Sequence, residues 1–213
     1  MVSYNPLGVA ATVLIVIALA LAVVVSSTSW LTKTKYQLSN TFSGVGPVTG
    51  SLKADLGLFR WCDTITTSRN GKSTSSSYCK AASSSNIKAE VDDSAADASW
   101  KATQAMVVIA FAGLLAGLIT GYAGLYRKSW GLAVAGFVMA TVGAAAYVVS
   151  LGTWVKVNQR VGDLAQDRES LDSSGKTPST KLGVSYWLLL LGAICAVVGV
   201  GLGIPPVVAQ HKA

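Results

Sequence analysis

Charge is what this sequence has least of, and it is missing in blocks. Only 13% of the 213 residues are Asp, Glu, Lys or Arg, against about a quarter in a soluble domain. Leu7 to Thr32, Ala102 to Tyr126, Ser129 to Val155 and Leu182 to Gln210 contain none of them. These stretches of 26, 25, 27 and 29 residues make up half of the chain. Such a distribution excludes a soluble globular enzyme, a disordered chain and, despite the net charge of +7, a nucleic-acid binder with a basic face. Histidine is nearly absent as well. His211 stands alone, so no imidazole pair or thiolate cluster is available to hold a metal. No cofactor is expected. Asn-x-Ser/Thr does not occur, which removes N-glycosylation. Without an ionisable group inside a span there is no proton path and no intramembrane catalytic pair.

What is present instead is Val, Leu, Ile, Ala and Gly in runs that are apolar on every face. Each run exceeds the roughly 20 residues needed to cross a ~30 Å hydrocarbon core as a helix. The spans are expected at about 7–27, 101–126, 130–155 and 182–204. A β-barrel would need short alternating segments. Trp30, Trp100, Tyr126, Trp130, Trp154, Tyr186 and Trp187 mark the borders, where amphipathic rings sit well. Pro205 and Pro206 are expected to close the last span. The first run lacks a basic n-region and is long for a signal-peptide core, so it reads as a retained transmembrane helix.

The connections are unequal. Only Arg127, Lys128 and Ser129 separate spans two and three, whereas loops at 28–100 and 156–181 are long. An even number of spans puts both termini and the Arg-Lys turn on one side and both long loops on the other. Charge decides the sides poorly. Nine Lys/Arg lie after span one up to and including Lys101, against three on the side of the termini. Loops beyond about 60 residues, however, cross largely regardless of charge.

The cysteines give an independent argument. Asn70-Gly71 is the strongest short hairpin signal, because a type I′ turn needs φ > 0 at both central residues. If those two residues form the turn, Arg69 faces Lys72, and Cys62 faces Cys79 seven steps out. By ladder alternation that is a non-hydrogen-bonded pair, with Cα atoms roughly 4.5 Å apart, a separation that a disulfide accepts. The competing reading is a flexible Ser-rich loop with two unrelated thiols, and the register favours the bond. A disulfide requires an oxidising compartment. The long loops are therefore expected outside and the termini in the cytosol. Cys195, inside the fourth span, reads as a small buried apolar residue.

Further strands are expected in the first loop. Trp30, Thr32, Thr34, Tyr36 and Leu38 alternate with Leu31, Lys33, Lys35 and Gln37. Leu56, Leu58, Arg60 and Cys62 alternate in the same way, which gives three or four antiparallel strands. Asp93-Ser94-Ala-Ala-Asp97 resembles a helix start, from which a helix could run into span two. Glu90, Asp92, Asp93 and Asp97 fit no calcium-loop spacing and read as the solvated start of that helix. Val157, Val161 and Leu164 continue the period of span three by about three turns, and Gln166 to Thr180 is polar and turn-rich.

Trp30, then Gly57-Leu58-Phe59, then Cys62 and Cys79 resemble the claudin superfamily signature of a Trp, a Gly-Leu-aromatic triplet and two cysteines. Ala102-Thr-Gln-Ala-Met-Val-Val is similar to the run at the second span of claudins. Phe59 replaces the usual Trp, Gln104 replaces a common Arg, and the cysteines lie farther apart than is usual. The resemblance implies one claudin-like domain over 1–213: an all-α membrane bundle of four transmembrane helices with a small extracellular antiparallel β-sheet. The C-terminal Gln210-His-Lys-Ala is no hydrophobic PDZ ligand, so no PDZ scaffold is expected. The long first loop and short tails look closer to the gamma subunits of voltage-gated calcium channels.

Gly113, Gly117 and Gly121 in span two, and Gly192, Gly199 and Gly203 in span four, lie at spacings that let helices approach closely in lipid. Packing within the bundle is the first reading, and a docking face for another membrane protein the second. The expected function is non-enzymatic: an accessory or structural subunit of a larger plasma-membrane assembly, such as an ion channel, bound laterally to other membrane proteins or to itself. The alternative is a claudin-type cell–cell adhesion or paracellular barrier protein.

Overall fold

Each of the four uncharged stretches forms a long helix, and two of these helices continue into charged sequence. The structure is a computed structural model describing residues 6–27, 32–42, 46–69, 72–81, 94–127, 129–169 and 179–211. In chain order the elements are α1 (Pro6–Ser27), β1 (Thr32–Phe42), β2 (Gly46–Leu56), β3 (Arg60–Arg69), β4 (Lys72–Ala81), α2 (Ser94–Tyr126), α3 (Trp130–Glu169), β5 (Ser179–Leu182) and α4 (Val184–His211). The segments Pro6–Ser27, Asp97–Gly124, Trp130–Arg160 and Val184–Gly203 are long and apolar enough to cross a membrane. Contacts divide the chain into two compact units. One comprises Met1–Val24, Ala102–Gly152 and Trp187–Ala213, and the other Val25–Lys101 and Thr153–Tyr186.

The first unit is helical. Ala11, Ile15, Ala18 and Ala22 of α1 are buried at alternating spacings of four and three. Thr103, Val107, Ala110 and Leu114 of α2 repeat the pattern. This is the seam of nearly antiparallel helices packed as in a left-handed bundle. Many of the seam residues are alanines, so the backbones lie close. Val13, Val16, Ile119, Val142 and Val197 point outward, as expected of an exterior made for hydrocarbon rather than water.

The closest approach is between α2 and α3. A Cβ built on Gly113 would lie 2.8 Å from the Cα of Gly143, and one on Gly117 would lie 2.7 Å from the backbone nitrogen of Ala140. One on Gly124 would lie 2.5 Å from the nitrogen of Ala133, and one on Gly136 would run into Gly121. The two backbones therefore touch over three turns. The connection is correspondingly tight: Ser129 N–H donates to the Gly124 carbonyl at 2.9 Å, and Ala133 N–H donates to the Ser129 carbonyl at 3.2 Å to begin α3.

The second unit holds an antiparallel sheet of order β4-β3-β2-β1-β5. Four strands come from the first long loop, and the fifth from the segment before α4. β5 is an addition to the expected three or four strands. Ser179-Thr-Lys-Leu, four residues too short to show an alternation, pair Thr32↔Leu182 through Lys35↔Ser179. Two further boundaries differ from expectation. α3, with Val157 buried, continues to Glu169, past Gln166 and into the segment expected to be polar and turn-rich. α4 continues through Pro205 and Pro206 to His211 instead of ending there. Each proline removes a donor and crowds the carbonyl four residues back, here Gly201 and Leu202. In a bilayer, though, a helix remains the backbone's way of satisfying its polar groups.

Introducing leucine at Gly143, whose Cβ would sit 2.6 Å from the Leu114 nitrogen, forces the two backbones apart. The expected cost is about 1–3 kcal/mol or more, read as a lowered melting temperature in detergent. Gly152→Leu, where nothing lies within 4 Å of the added atom, is expected to melt as the unmodified protein does. Equal melting of the two variants would refute the contact.

Candidate functional site

The residues most distinctive in the sequence gather in the sheet unit. β3 and β4 pair from Arg60↔Ala81 to Arg69↔Lys72 without a break, which puts Cys62 opposite Cys79. The two are disulfide-bonded, with Cα atoms 4.1 Å apart, the close spacing of a non-hydrogen-bonded pair. Asn70 and Gly71 lie outside the described residues, but the register on either side is the one that a two-residue turn imposes. On the disulfide's face, Thr64 and Ser77 share a hydroxyl–hydroxyl hydrogen bond of 3.1 Å two residues along. Asp55 of β2 lies opposite Cys62 and pairs with Lys53 at 3.3 Å.

Below the disulfide the chain turns through Gly57-Leu58-Phe59. Gly57 N–H donates to the Arg60 carbonyl at 2.7 Å, so the turn is closed by its own backbone. Leu58 is fully buried, while Phe59 is 37% exposed. The Leu58 carbonyl accepts the indole N–H of Trp100 at 3.0 Å. Trp100 in turn meets Trp154 edge-on, with centroids 5.7 Å apart at 75°, an arrangement favoured by the ring quadrupoles. Both rings are buried. The turn is thus fixed to the first turns of α2 and to the part of α3 beyond Gly152 by one buried cluster. Trp154 Nε1 has no acceptor among the described residues. Asp97, one turn before Trp100, is buried and bonded to Lys101 at 2.7 Å. It is not the solvated helix-start residue expected from sequence. The i,i+4 lysine lets the acid sit against the cluster. Glu90, Asp92, Asp93 and Trp30 lie outside the described residues.

The outer side of this unit is β4. All ten of its residues are exposed, and it ends the sheet, so its outward N–H and C=O groups are open to a partner strand. On the face opposite the disulfide, Ile65 and Tyr78 are 48% and 62% exposed. They sit diagonally across the β3/β4 ladder, since Asp63 pairs with Tyr78. The Lys80 ammonium lies 5.1 Å from the Tyr78 ring centroid. The result is an apolar, aromatic and cationic patch beside a long open strand. It offers open backbone groups and an apolar side-chain surface to a partner. Among the described residues no group of three His, Cys, Asp or Glu comes together to hold a metal.

The six glycines read as packing positions divide in the structure. Gly113 and Gly117 face α3, and Gly192 takes Tyr147, whose hydroxyl would be 2.5 Å from an added Cβ. Gly199 faces Ile15 and Ala11 of α1. Gly121 and Gly203 have open space where a Cβ would go. The partners Gly136 and Gly143 were not singled out from sequence. They are seven apart, a heptad step that was legible in principle. Cys195 is half-buried. Comparison with family models and with curated proteins gave no match to this chain.

Removing the disulfide by Cys62→Ser together with Cys79→Ser opens a loop with a sequence separation of 17. The expected loss is about 3 kcal/mol, seen as earlier unfolding of the sheet by hydrogen exchange. Free labelling of both thiols by alkylation without reductant, in protein made in the secretory pathway, would contradict the bond.

Proposed function

We propose that this chain is a claudin-like multi-pass membrane protein that acts by protein–protein contact rather than by chemistry. Its role is that of an accessory or structural subunit of a larger membrane assembly, such as an ion channel. The observation that carries the reading is β4: ten exposed residues at the end of a sheet, held in register by a disulfide. A rigid strand with open backbone groups is a binding surface, recognised through main-chain hydrogen bonds and side-chain pockets. Long loops of gamma-subunit proportions favour the channel-subunit role. The disulfide favours an oxidising compartment for the sheet, and hence a plasma-membrane location with cytosolic termini.

The second reading is claudin-type adhesion or a paracellular barrier. The exposed Ile65 and Tyr78 favour it, because apolar side chains on an outward-facing sheet can meet an opposing membrane's protein.

Purification in gentle detergent separates the possibilities. The subunit role predicts a stable complex with a second membrane protein, and a lone, monodisperse monomer would count against it. Adhesion predicts freeze-fracture strands where expressing cells touch, and a diffuse distribution would exclude it.

A further inference from the structure

A second feature lies in the helical unit. At the end of the bundle where α1 begins and α2 ends there is a hollow of about 120 Å³. All four helices line it, through residues that include Gly8, Thr12, Gly121, Gly136 and Gly203. Along α3 the lining runs from Ala133 to Ala140, about 10 Å at 1.5 Å per residue. The hollow is therefore long and narrow. A transmembrane helix, about 10–12 Å across, does not fit it, whereas a hollow of similar volume, about 150 Å³, takes a benzene ring. Its lining combines glycines and alanines with the apolar side chains of Ile15, Leu118, Phe137 and Val200. The Thr12 hydroxyl does not call for a polar guest, because it donates to the Gly8 carbonyl at 2.9 Å.

Charge at this end is one-signed. The sequence on this side of the spans contains Arg127, Lys128 and Lys212 and neither Asp nor Glu. Arg127 is exposed one residue past the end of α2, about 9 Å of helix rise beyond Gly121. Tyr122, Tyr126 and Trp130 are exposed around it, at the depth where amphipathic rings meet headgroups. An apolar slot thus opens below a cation at headgroup level, and guanidinium binds phosphate oxygens well.

We propose that this hollow is a lipid site, which takes one acyl chain of an anionic glycerophospholipid while Arg127 holds the headgroup phosphate. The inference rests on the reading that the four helices cross a membrane. The open space at Gly121 and Gly203 supplies the test. Leucine at either position enters the hollow without meeting backbone, whereas leucine at Gly117 would not. Gly201, in the same helix as Gly203, also has open space but does not line the hollow, so Gly201→Leu is the control.

Carbonate extraction of the expressed protein comes first, and release from the membrane fraction would overturn the spanning reading itself. The retained protein is placed in phosphatidylcholine nanodiscs with a minor share of phosphatidylglycerol carrying a diazirine midway along one acyl chain. After irradiation, labelled peptides are mapped by mass spectrometry. Label is expected to concentrate on the peptides of Gly8–Ile15 and Gly136–Ala140. Gly121→Leu and Gly203→Leu are each expected to reduce it about tenfold, the effect of displacing roughly two buried methylenes. Gly201→Leu should leave it unchanged. The same chain on phosphatidylcholine should label less, and Arg127→Gln should erase that difference. Label spread evenly over the bundle exterior, label unaffected by both filling variants of normal helicity and size, or equal label from the two headgroups would each overturn the proposal.

Discussion

Between Gly113 and Gly124, α2 runs along α3 with glycine on one side or the other of each close backbone contact. In lipid there is no hydrophobic force to press two apolar helices together, so association depends on how closely they can pack. Glycine removes the atom that would hold them apart. Dispersion contacts, each worth only ~0.1–0.2 kcal/mol, then accumulate over three turns. The three-residue connection between the helices is possible because the helices it joins already touch. Gly192 against Tyr147 and Gly199 against Ile15 extend the same solution to α4. The helical unit is assembled from absent side chains as much as from present ones.

The sheet unit solves a different problem in a different solvent. Its strands are rich in Ser, Thr and Lys, and little of β4 is buried. It cannot rely on burial as a soluble core does. It relies on one covalent bond, a continuous ladder, and a buried cluster of Leu58, Trp100 and Trp154. The bond fixes the register on one side, and the indole–carbonyl hydrogen bond fixes the turn on the other. A one-residue slip in such a polar sheet would cost little by itself, and the disulfide locks the register that the two-residue turn sets.

These two units were unequally legible in the sequence. The spans followed from charge alone, because crossing hydrocarbon leaves few other patterns available. The Cys62–Cys79 register followed from Asn70-Gly71, because a two-residue turn dictates every pair outward from it. The start of α2 at Ser94 was legible from its acids. β5 was not, because Ser179-Thr-Lys-Leu is too short to carry a pattern and gains its strand geometry from pairing with β1. The burial of Asp97 was hidden because an acid near a helix start looks the same whether water or a tryptophan lies beside it. The run of α4 through two prolines ran against local propensity, which the surroundings of a backbone can override. Whether Gly121 and Gly203 face a neighbour or empty space is a property of four helices at once, and no single-helix spacing encodes it.

The pairing of β1 with β5 has a consequence for how the chain is made. Thr32 and Leu182 are neighbours in the sheet, yet two membrane-spanning candidates lie between them in the chain. At a synthesis rate of ~5–20 residues per second, the edge of β1 waits on the order of ten seconds or more for its last strand. Throughout that time it is an unpaired edge, the kind that recruits wrong partners. It can be closed only if α2 and α3 have inserted as a pair and returned the chain to the side it left. β1 and β5 therefore meet only once the chain before α2 and the chain after α3 have come back together, so β5 is the last strand to join the sheet.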